Sequence, residues 1–384
     1  MANTLTALAP VLYTAAQEVS AEPFGAVDAI NGFFDNKGVA IGDKVKVPVA
    51  PTRAAATYSP TMNLNNGNAG TDATASNVEV EITANRMVSW HLTGEQQRSL
   101  ENGATDTEWI RQLVAQGMRT LRNEAEAACA LAIKQGASRA TGTAGTTPFA
   151  SALTEMTAAR KILRDNGAPM ADLQLVCNTD AELNLLNLGI IQQAYAAGSD
   201  AERRQGKIAR QFGFQIGQSA GIAKHTSCTG ADYVTDANGG AVPVGTTSWV
   251  VDTGTAAITA GDVFTITDAG AHKYVVAADL ATAATGPLIL AKPGLRQAAA
   301  QNKALVFSGD YTPTLAFERS AVVGVMRPPL IPANPSIKQM VISDSMGMSY
   351  LLCEVVGDGL VTWRIHLAWG FKVVQPEHVA LILG

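Results

Sequence analysis

Charge is scarce in this sequence. Lys, Arg, Asp and Glu make up 16% of its 384 residues, against about 25% in ordinary globular proteins. The formal net charge of −5 divides as −4 over residues 1–104, +2 over 105–224 and −3 over 225–384. No segment has the basic footprint of a chain built to grip nucleic acid, so any contact with DNA is local and weak. Cysteine is sparse too. Cys129, Cys177, Cys228 and Cys353 form no C-x-x-C pair, which argues against a disulfide scaffold and for reduced, mostly buried thiols in a cytoplasmic product. The first basic residue is Lys37, so no charged leader of a signal peptide is read. No apolar run approaches the roughly 18 residues of a membrane span. The histidines, His91, His225, His272, His366 and His378, include no pair three or four apart and no HExxH, which excludes metal ligation from one helix.

Small residues fill the space that charge leaves. A surface rich in Ala, Gly, Thr and Ser suits a protein covered by neighbours, and a compact enzyme almost as well. The longest periodic segment is Thr105 to Gly136. Thr105-Asp106-Thr107-Glu108 has the form of a capping box, and Ile110, Leu113, Val114, Gly117, Leu121, Ala125, Ala128, Ala132 and Ile133 make one apolar stripe. The opposite face carries Arg111, Arg119, Arg122, Glu126 and Lys134, and Gly136 supplies the stop. About thirty residues at ~1.5 Å each give a rod of roughly 45 Å, far beyond the mean helix of about 11–12 residues. Such a rod fits the backbone of an elongated subunit.

Around it the chain divides into recognisable textures. Residues 1–43 read as an arm with one or two short helices interrupted by Pro10; its apolar side has few local partners and is expected to lie on something else. Residues 44–94 read as an extended β-hairpin: 44–49 alternates strictly, Pro48 marks an edge, and the alternating runs 78–82 and 87–90 close a polar excursion from Pro51 to Asn77. A tip that long inside a compact domain is uncommon, so the hairpin is expected to project. Residues 95–148 hold the long helix. Residues 149–225 read as mixed α/β, with helices over Phe149–Asn166 and after Asn178-Thr179-Asp180, and strands at Leu173–Cys177 and Phe212–Ile216. Residues 226–308 read as an inserted all-β module with one helical stretch at Arg296–Ala304. From 309 to 384 the α/β texture resumes over Thr314–Met326 and ends in strands at 337–342, 350–355, 362–369 and 379–383.

Two candidate sites stand out from the bland reading. Gly217-Gln218-Ser219-Ala220-Gly221 fits the G-x-S-x-G nucleophile elbow, but the motif needs a helix after the serine, and only Ile222 to Thr226 precede the β module. A glycine-bounded strand end is the plainer reading. The basic cluster Arg203, Arg204, Lys207 and Arg210 is a solvated face by default and a set of charge pairs with another copy of the chain by hypothesis. Glu22, Asp28 and Asp43 near the arm read the same way. Gly198 to Lys207 ends like a phosphate-binding loop, but Ala201 stands where its first glycine is needed.

The order of parts resembles the major capsid proteins of tailed phages, the Hong-Kong-97-type fold: arm, projecting hairpin, long spine helix, α/β domain and terminal strands. The insertion resembles the coat-protein branch of short-tailed Salmonella-type phages. The stretches that carry the resemblance are Leu315-Ala316-Phe317-Glu318-Arg319-Ser320-Ala321-Val322 running into Arg327-Pro328-Pro329-Leu330-Ile331-Pro332-Ala333-Asn334, the ending Trp363-Arg364-Ile365-His366-Leu367-Ala368-Trp369-Gly370 with Pro376-Glu377, and the hairpin opening Gly42-Asp43-Lys44-Val45. The resemblance implies an α+β subunit of an icosahedral shell, without catalysis, cofactor, metal or membrane. Its partners would be other capsid subunits, a scaffolding protein, a portal protein, non-specifically held double-stranded DNA and, as a further candidate, a decoration protein. It would be assembled in the host cytoplasm and reside in the virion. The hairpin would lie over a neighbour and the arm across another, which makes Lys44, Lys46, Arg53, Tyr58, Arg203, Arg204, Lys207 and Arg210 the candidate inter-subunit contacts. The competing readings are a serine hydrolase using Ser219 and a surface adhesin.

Overall fold

The computed structural model describes residues 5–20, 25–34, 37–49, 76–96, 106–189, 208, 210–229, 232–236, 240–254, 256–282, 286–332, 336–343, 347–357 and 359–384. The helices run in chain order as α1 (Leu5–Ser20), α2 (Gly25–Ala29), α3 (Asp106–Gly136), α4 (Thr154–Asp165) and α5 (Thr179–Asn187). Helix α3 has 31 residues, roughly 46 Å at the α-helical rise, and its bounds agree with the periodicity; the Thr105 cap lies outside the described residues. Of its apolar stripe, Val114, Leu121, Ala125 and Ile133 are buried in the largest core, where Met118 and Cys129, outside the stripe, join them.

Two large sheets flank this helix. The first has six strands: β1 (Asn31–Phe34) pairs with β15 (Val322–Arg327), and β17 (Ser349–Val356) with β16 (Ile337–Ser343), while β15 and β17 follow one another along one edge of the long β18 (Leu360–Val373) and β4 (Ala84–Thr93) runs along its opposite edge. Ile365, Leu367 and Trp369 of β18 join the α3 core, with Val88 and Trp90 of β4 packed beside them. A two-stranded ribbon, β2 (Lys44–Val49) with β3 (Ser76–Glu81), leaves this sheet. Gly370 lets it do so, because a Cβ there would sit 1.9 Å from the Glu81 carbonyl oxygen.

The second sheet has eight strands, β13 (Leu305–Phe307), β10 (Val263–Ile266), β11 (Lys273–Val275), β5 (Arg139–Gly142), β19 (Val379–Leu383), β14 (Thr314–Glu318), β6 (Leu173–Cys177) and β7 (Phe214–Gln218). The remaining strands, β8 (Val234–Thr235), β9 (Ser248–Asp252) and β12 (Pro287–Ile289), form a small third sheet. Strand β6 is buried at all five positions, Gln174 included, as a strand covered on both faces requires. The side chain of Asn178 caps α5 by accepting from the Ala181 amide at 3.1 Å, as the Asn-Thr-Asp sequence implies.

Several expectations are corrected. Helix α1 continues through Pro10, its sixth residue; a proline there removes one helical hydrogen bond, and the burial of Leu12, Ala15, Ala16 and Val19 in the core offsets that loss. The apolar side of the described N-terminal segments has its cover at home. Leu12, Ala15, Ala16 and Val19, then Ala26, Val27 and Ile30, join the α3 core, and β1 pairs in parallel with β15. The charged α3 face opposite the stripe is itself buried at Arg122, Glu126 and Lys134, because α1, α2 and the β-rich segment wrap it. Helix α4 starts at Thr154 rather than Phe149, which is buried with a φ of +65°. Arg296–Ala304 is not helical; its Ala299 bridges Val242. Thr314–Met326 is strand, 3-10 turn and strand.

Residues 232–307 contain strands β8–β13 and surround an apolar cluster of their own that includes Tyr233, Trp249, Phe264 and Leu295. They are nevertheless continuous with the rest. Strand β11 pairs with β5 through Lys273–Ala140 and Tyr274–Arg139, so three of these strands extend the eight-stranded sheet.

Candidate assembly surfaces and the junctions behind them

On the ribbon, strict alternation sends Val45, Val47 and Val49 to one face and Lys44, Lys46 and Pro48 to the other. Val47 and Val80 are buried against Val39, Val323, Val325 and Ala368. Toward the far end the cover thins, and Val49 and Val78 are half-buried. Lys44 reaches Glu79 at 3.1 Å, both exposed. Their hydrogen bond raises the ammonium's pKa and lowers the carboxylate's. Lys46 lies opposite Glu79 in the register and is exposed. Arg53 and Tyr58 lie outside the described residues, as do Arg203, Arg204, Lys207 and Glu22.

Arg210 is described, and it is engaged within the chain. Its guanidinium donates to the Gly213 carbonyl at 2.8 Å and to the Ala171 carbonyl. Beside it, Phe212 is 46% exposed, and Leu183 on α5 is 59% exposed. At the edge of the first sheet, Ile41 and Leu330 are exposed at 64% and 75%, next to the bridge from Val39 to Pro329. These side chains are apolar surface at separate places on the molecule.

Behind these surfaces the spine helix is fastened by charge. Arg122, fully buried, donates to the Val19 carbonyl at 3.1 Å and to the Asp28 carboxylate at 2.8 Å. Glu126 accepts from the Ala26 and Val27 amides at 2.5 and 2.8 Å. Arg111 and Arg119 both pair with Glu18 of α1. Asp28 is therefore bound within the chain, and Asp43 accepts from the Ala40 amide at 2.8 Å.

The last turn of α3 carries a second fastening that the sequence reading missed. Lys134 lies 3.1 Å from His225 Nδ1, and His225 Nε2 lies 2.9 Å from Asp262 Oδ1. Asp262 also accepts from the Cys228 amide at 3.0 Å and the Thr259 amide at 2.7 Å. Burial alone would raise its carboxyl, but the bonds from His225, Thr259 and Cys228 outweigh that and hold it below the ordinary range. Gly261 makes room, since its Cβ would fall 3.1 Å from Lys134 Cε. An apolar cleft of about 280 Å³ opens beside Lys134, lined by Ala127, Leu131, Ile222 and Pro313 among others.

Ser219 stands at the end of β7, as the elbow motif asks, but is buried, and its Oγ accepts from the Gly221 amide at 3.1 Å. Both ring nitrogens of His225, the histidine nearest it in sequence, are occupied by Lys134 and Asp262. Among the described residues no group of three or more His, Cys, Asp or Glu side chains could hold a metal ion, and no helix is long and apolar enough to cross a membrane.

No family model and no curated protein matches the chain. Among solved structures it is similar to the capsid structure of cyanophage P-SCSP1u, at 11% identity and a TM-score of 0.49, over 94% of this chain and 89% of that one. It is similar to the mature capsid of bacteriophage PhiM1 at 10% identity and a TM-score of 0.45, over 92% and 85%. The capsid of a native GTA particle follows at 13% identity and 0.43, over 96% and 90%. Its structural neighbours are capsid proteins.

Proposed function

We propose that the chain is the major capsid protein of a tailed double-stranded DNA bacteriophage of the Hong-Kong-97 type. It self-assembles into pentamers and hexamers of an icosahedral shell that encloses the genome. The observation that carries this reading is the β2–β3 ribbon, set in the chain between the N-terminal segment and a 31-residue helix. Its base is buried on the first sheet, while its far end, at the Val49–Ser76 pair, is only half-covered at Val49 and Val78. A lone two-stranded ribbon is marginally stable in water, so a half-covered end gains from a surface supplied from elsewhere. A second copy of the chain supplies it.

Residues 44–94 then act as the extended loop, 95–148 as the peripheral domain with its spine, 149–225 with 309–384 as the axial domain, and 226–308 as the insertion. Head-to-tail contacts close into rings, as cyclic symmetry demands. Obligate interfaces bury about 2,000 Å² or more, and spreading them over several neighbours lets single errors dissociate while the whole holds. Lys44, Lys46, Arg53, Tyr58, Arg203, Arg204 and Lys207 remain proposed contacts. Arg210 contributes by bracing the Gln211–Phe214 turn that presents Phe212. Scaffolding, portal and decoration proteins, and DNA on the inner face, are the proposed partners.

Electron microscopy of the purified protein, alone and with a candidate scaffolding protein, tests the reading: closed shells or capsomer rings are expected. Deleting residues 51–77 should leave a folded subunit that builds neither. A compact monomer under every condition, or normal shells from the deletion variant, would overturn it.

A further inference from the structure

The chain enters the β-rich segment at His225 and leaves it at Tyr311, and the two residues are bonded there: each amide donates to the other's carbonyl, at 2.8 and 3.2 Å. The Tyr311 ring lies against the imidazole at 5.1 Å between centroids. Lys134 reaches this crossing from the spine helix, and Asp262 reaches it from inside the segment. All four side chains are buried. An ammonium has no acceptor capacity, so with Lys134 charged His225 Nδ1 must offer its lone pair and Nε2–H must donate to Asp262. If instead the shared proton sits on Nδ1, Lys134 is a neutral amine and the total charge is unchanged. In both forms Lys134, His225 and Asp262 sum to zero.

We propose that Lys134, His225 and Asp262 form a proton-operated latch fixing the β-rich segment to the C-terminal end of the spine helix. The latch is closed by a single shared proton between lysine and histidine, and a second proton opens it. Adding that proton puts one on every position between Lys134 and His225, so two cations face each other across what was a hydrogen bond. Like charges this close disfavour the doubly protonated state, which relaxes by separating the two elements. The other titratable groups around His225 do not cancel this effect. Asp262 is already its partner on the opposite ring nitrogen, the Tyr311 hydroxyl donates to the Gly261 carbonyl, and Asp310 is engaged by Lys224 at 3.1 Å and by the Ser227 amide. The Cys228 thiol is half-buried nearby. The two β5–β11 residue pairs remain as the connection when the latch is open. The inference rests on the fold and not on the shell reading.

Hydrogen exchange of the full chain at about pH 7.5 and about pH 5.5, corrected for intrinsic rates, tests it across the range where histidine titrates. Protection of peptides over 222–228, 258–264 and 308–312 should fall about tenfold or more at the lower pH relative to β6 and β14. Two variants carry the decision. Lys134→Met removes the opposing cation and leaves a protonated His225 free to pair with Asp262, so protection should persist in acid. His225→Gln keeps an acceptor for Lys134 and a donor for Asp262 but cannot titrate, so its protection should not depend on pH. Equal protection of the wild-type junction at both pH values overturns the latch. So does an undiminished acid response in His225→Gln, which applies even if Lys134→Met fails to fold.

Discussion

The N-terminal helix and the β2–β3 ribbon each present one apolar stripe, and sequence reasoning sends both to a neighbouring subunit. The structure treats them differently. Leu12 and Val19 of α1 are buried on α3, worth about 1.5–3 kcal/mol each, and the segment is secured by Arg122 and Glu126. The ribbon is buried at Val47 and Val80 but only half-buried at Val45, Val49 and Val78, and its Lys44–Glu79 pair is exposed. Buried polar bonds are costly to leave unmade, so they mark a contact that persists within one chain. An exposed pair marks a surface that can exchange one partner for another. The shell reading therefore rests on the ribbon, and the described arm contributes to the fold of its own subunit.

Substitutions can break this comparison. Arg122→Met leaves Asp28, which keeps some exposure, and the Val19 carbonyl without their guanidinium, and should destabilise the subunit by about 1.5–3 kcal/mol, the worth of hydrogen bonds to a charged group. Denaturant unfolding measures it, and a loss below about 1 kcal/mol would mean that the clip is dispensable. Glu126→Gln keeps one acceptor for the α2 amides but loses the charge, so about 1–3 kcal/mol is expected by the same measurement. Lys44→Ala should leave the melting temperature of the isolated subunit unchanged while altering the salt dependence of shell formation, followed by light scattering; a change in melting temperature instead would place Lys44 with the clips.

Acid response adds a gentler probe. Because bonds from His225, Thr259 and Cys228 outweigh burial and hold Asp262 below its ordinary range, its contribution to stability is present above the unfolded carboxylate pKa. It is lost as pH falls through the depressed folded value. Asp262→Asn should flatten that part of the stability–pH curve. The smallest effect expected is on thiol chemistry. Burial pushes the Cys177 thiol up to about 12 and raises Cys129 and Cys353. Iodoacetamide should therefore label Cys228 alone in the native protein, counted by mass spectrometry.

What the sequence made legible follows physical range. The bounds of β2, β6, β10, β13 and β19 are read correctly from alternation or an apolar run bounded by glycine, proline or polar residues, and α3 from its stripe. These signals are local. Asn31-Gly32-Phe33-Phe34 is too short and too glycine-marked to read as a strand, and only its pairing with β15 makes it one. Lys134 looks solvated because helical periodicity knows nothing of a wall brought in 91 residues later by His225, itself joined to Asp262 at a separation of 37. The joining of β11 to β5 is equally invisible, since a strand's sequence does not name its neighbour. The surface candidates 50–75 and 190–207 fall outside the described residues, so they stand as sequence readings.

The β5–β11 pairing carries a mechanical consequence. A segment with its own apolar cluster would ordinarily swing on two flexible tethers. Here three of its strands are spliced into the lattice of hydrogen bonds that also contains β19 and β14. Any push delivered to the outer strands is passed sideways through the backbone to Val379–Leu383 and to the structure beneath. Force applied at the rim is felt at the centre.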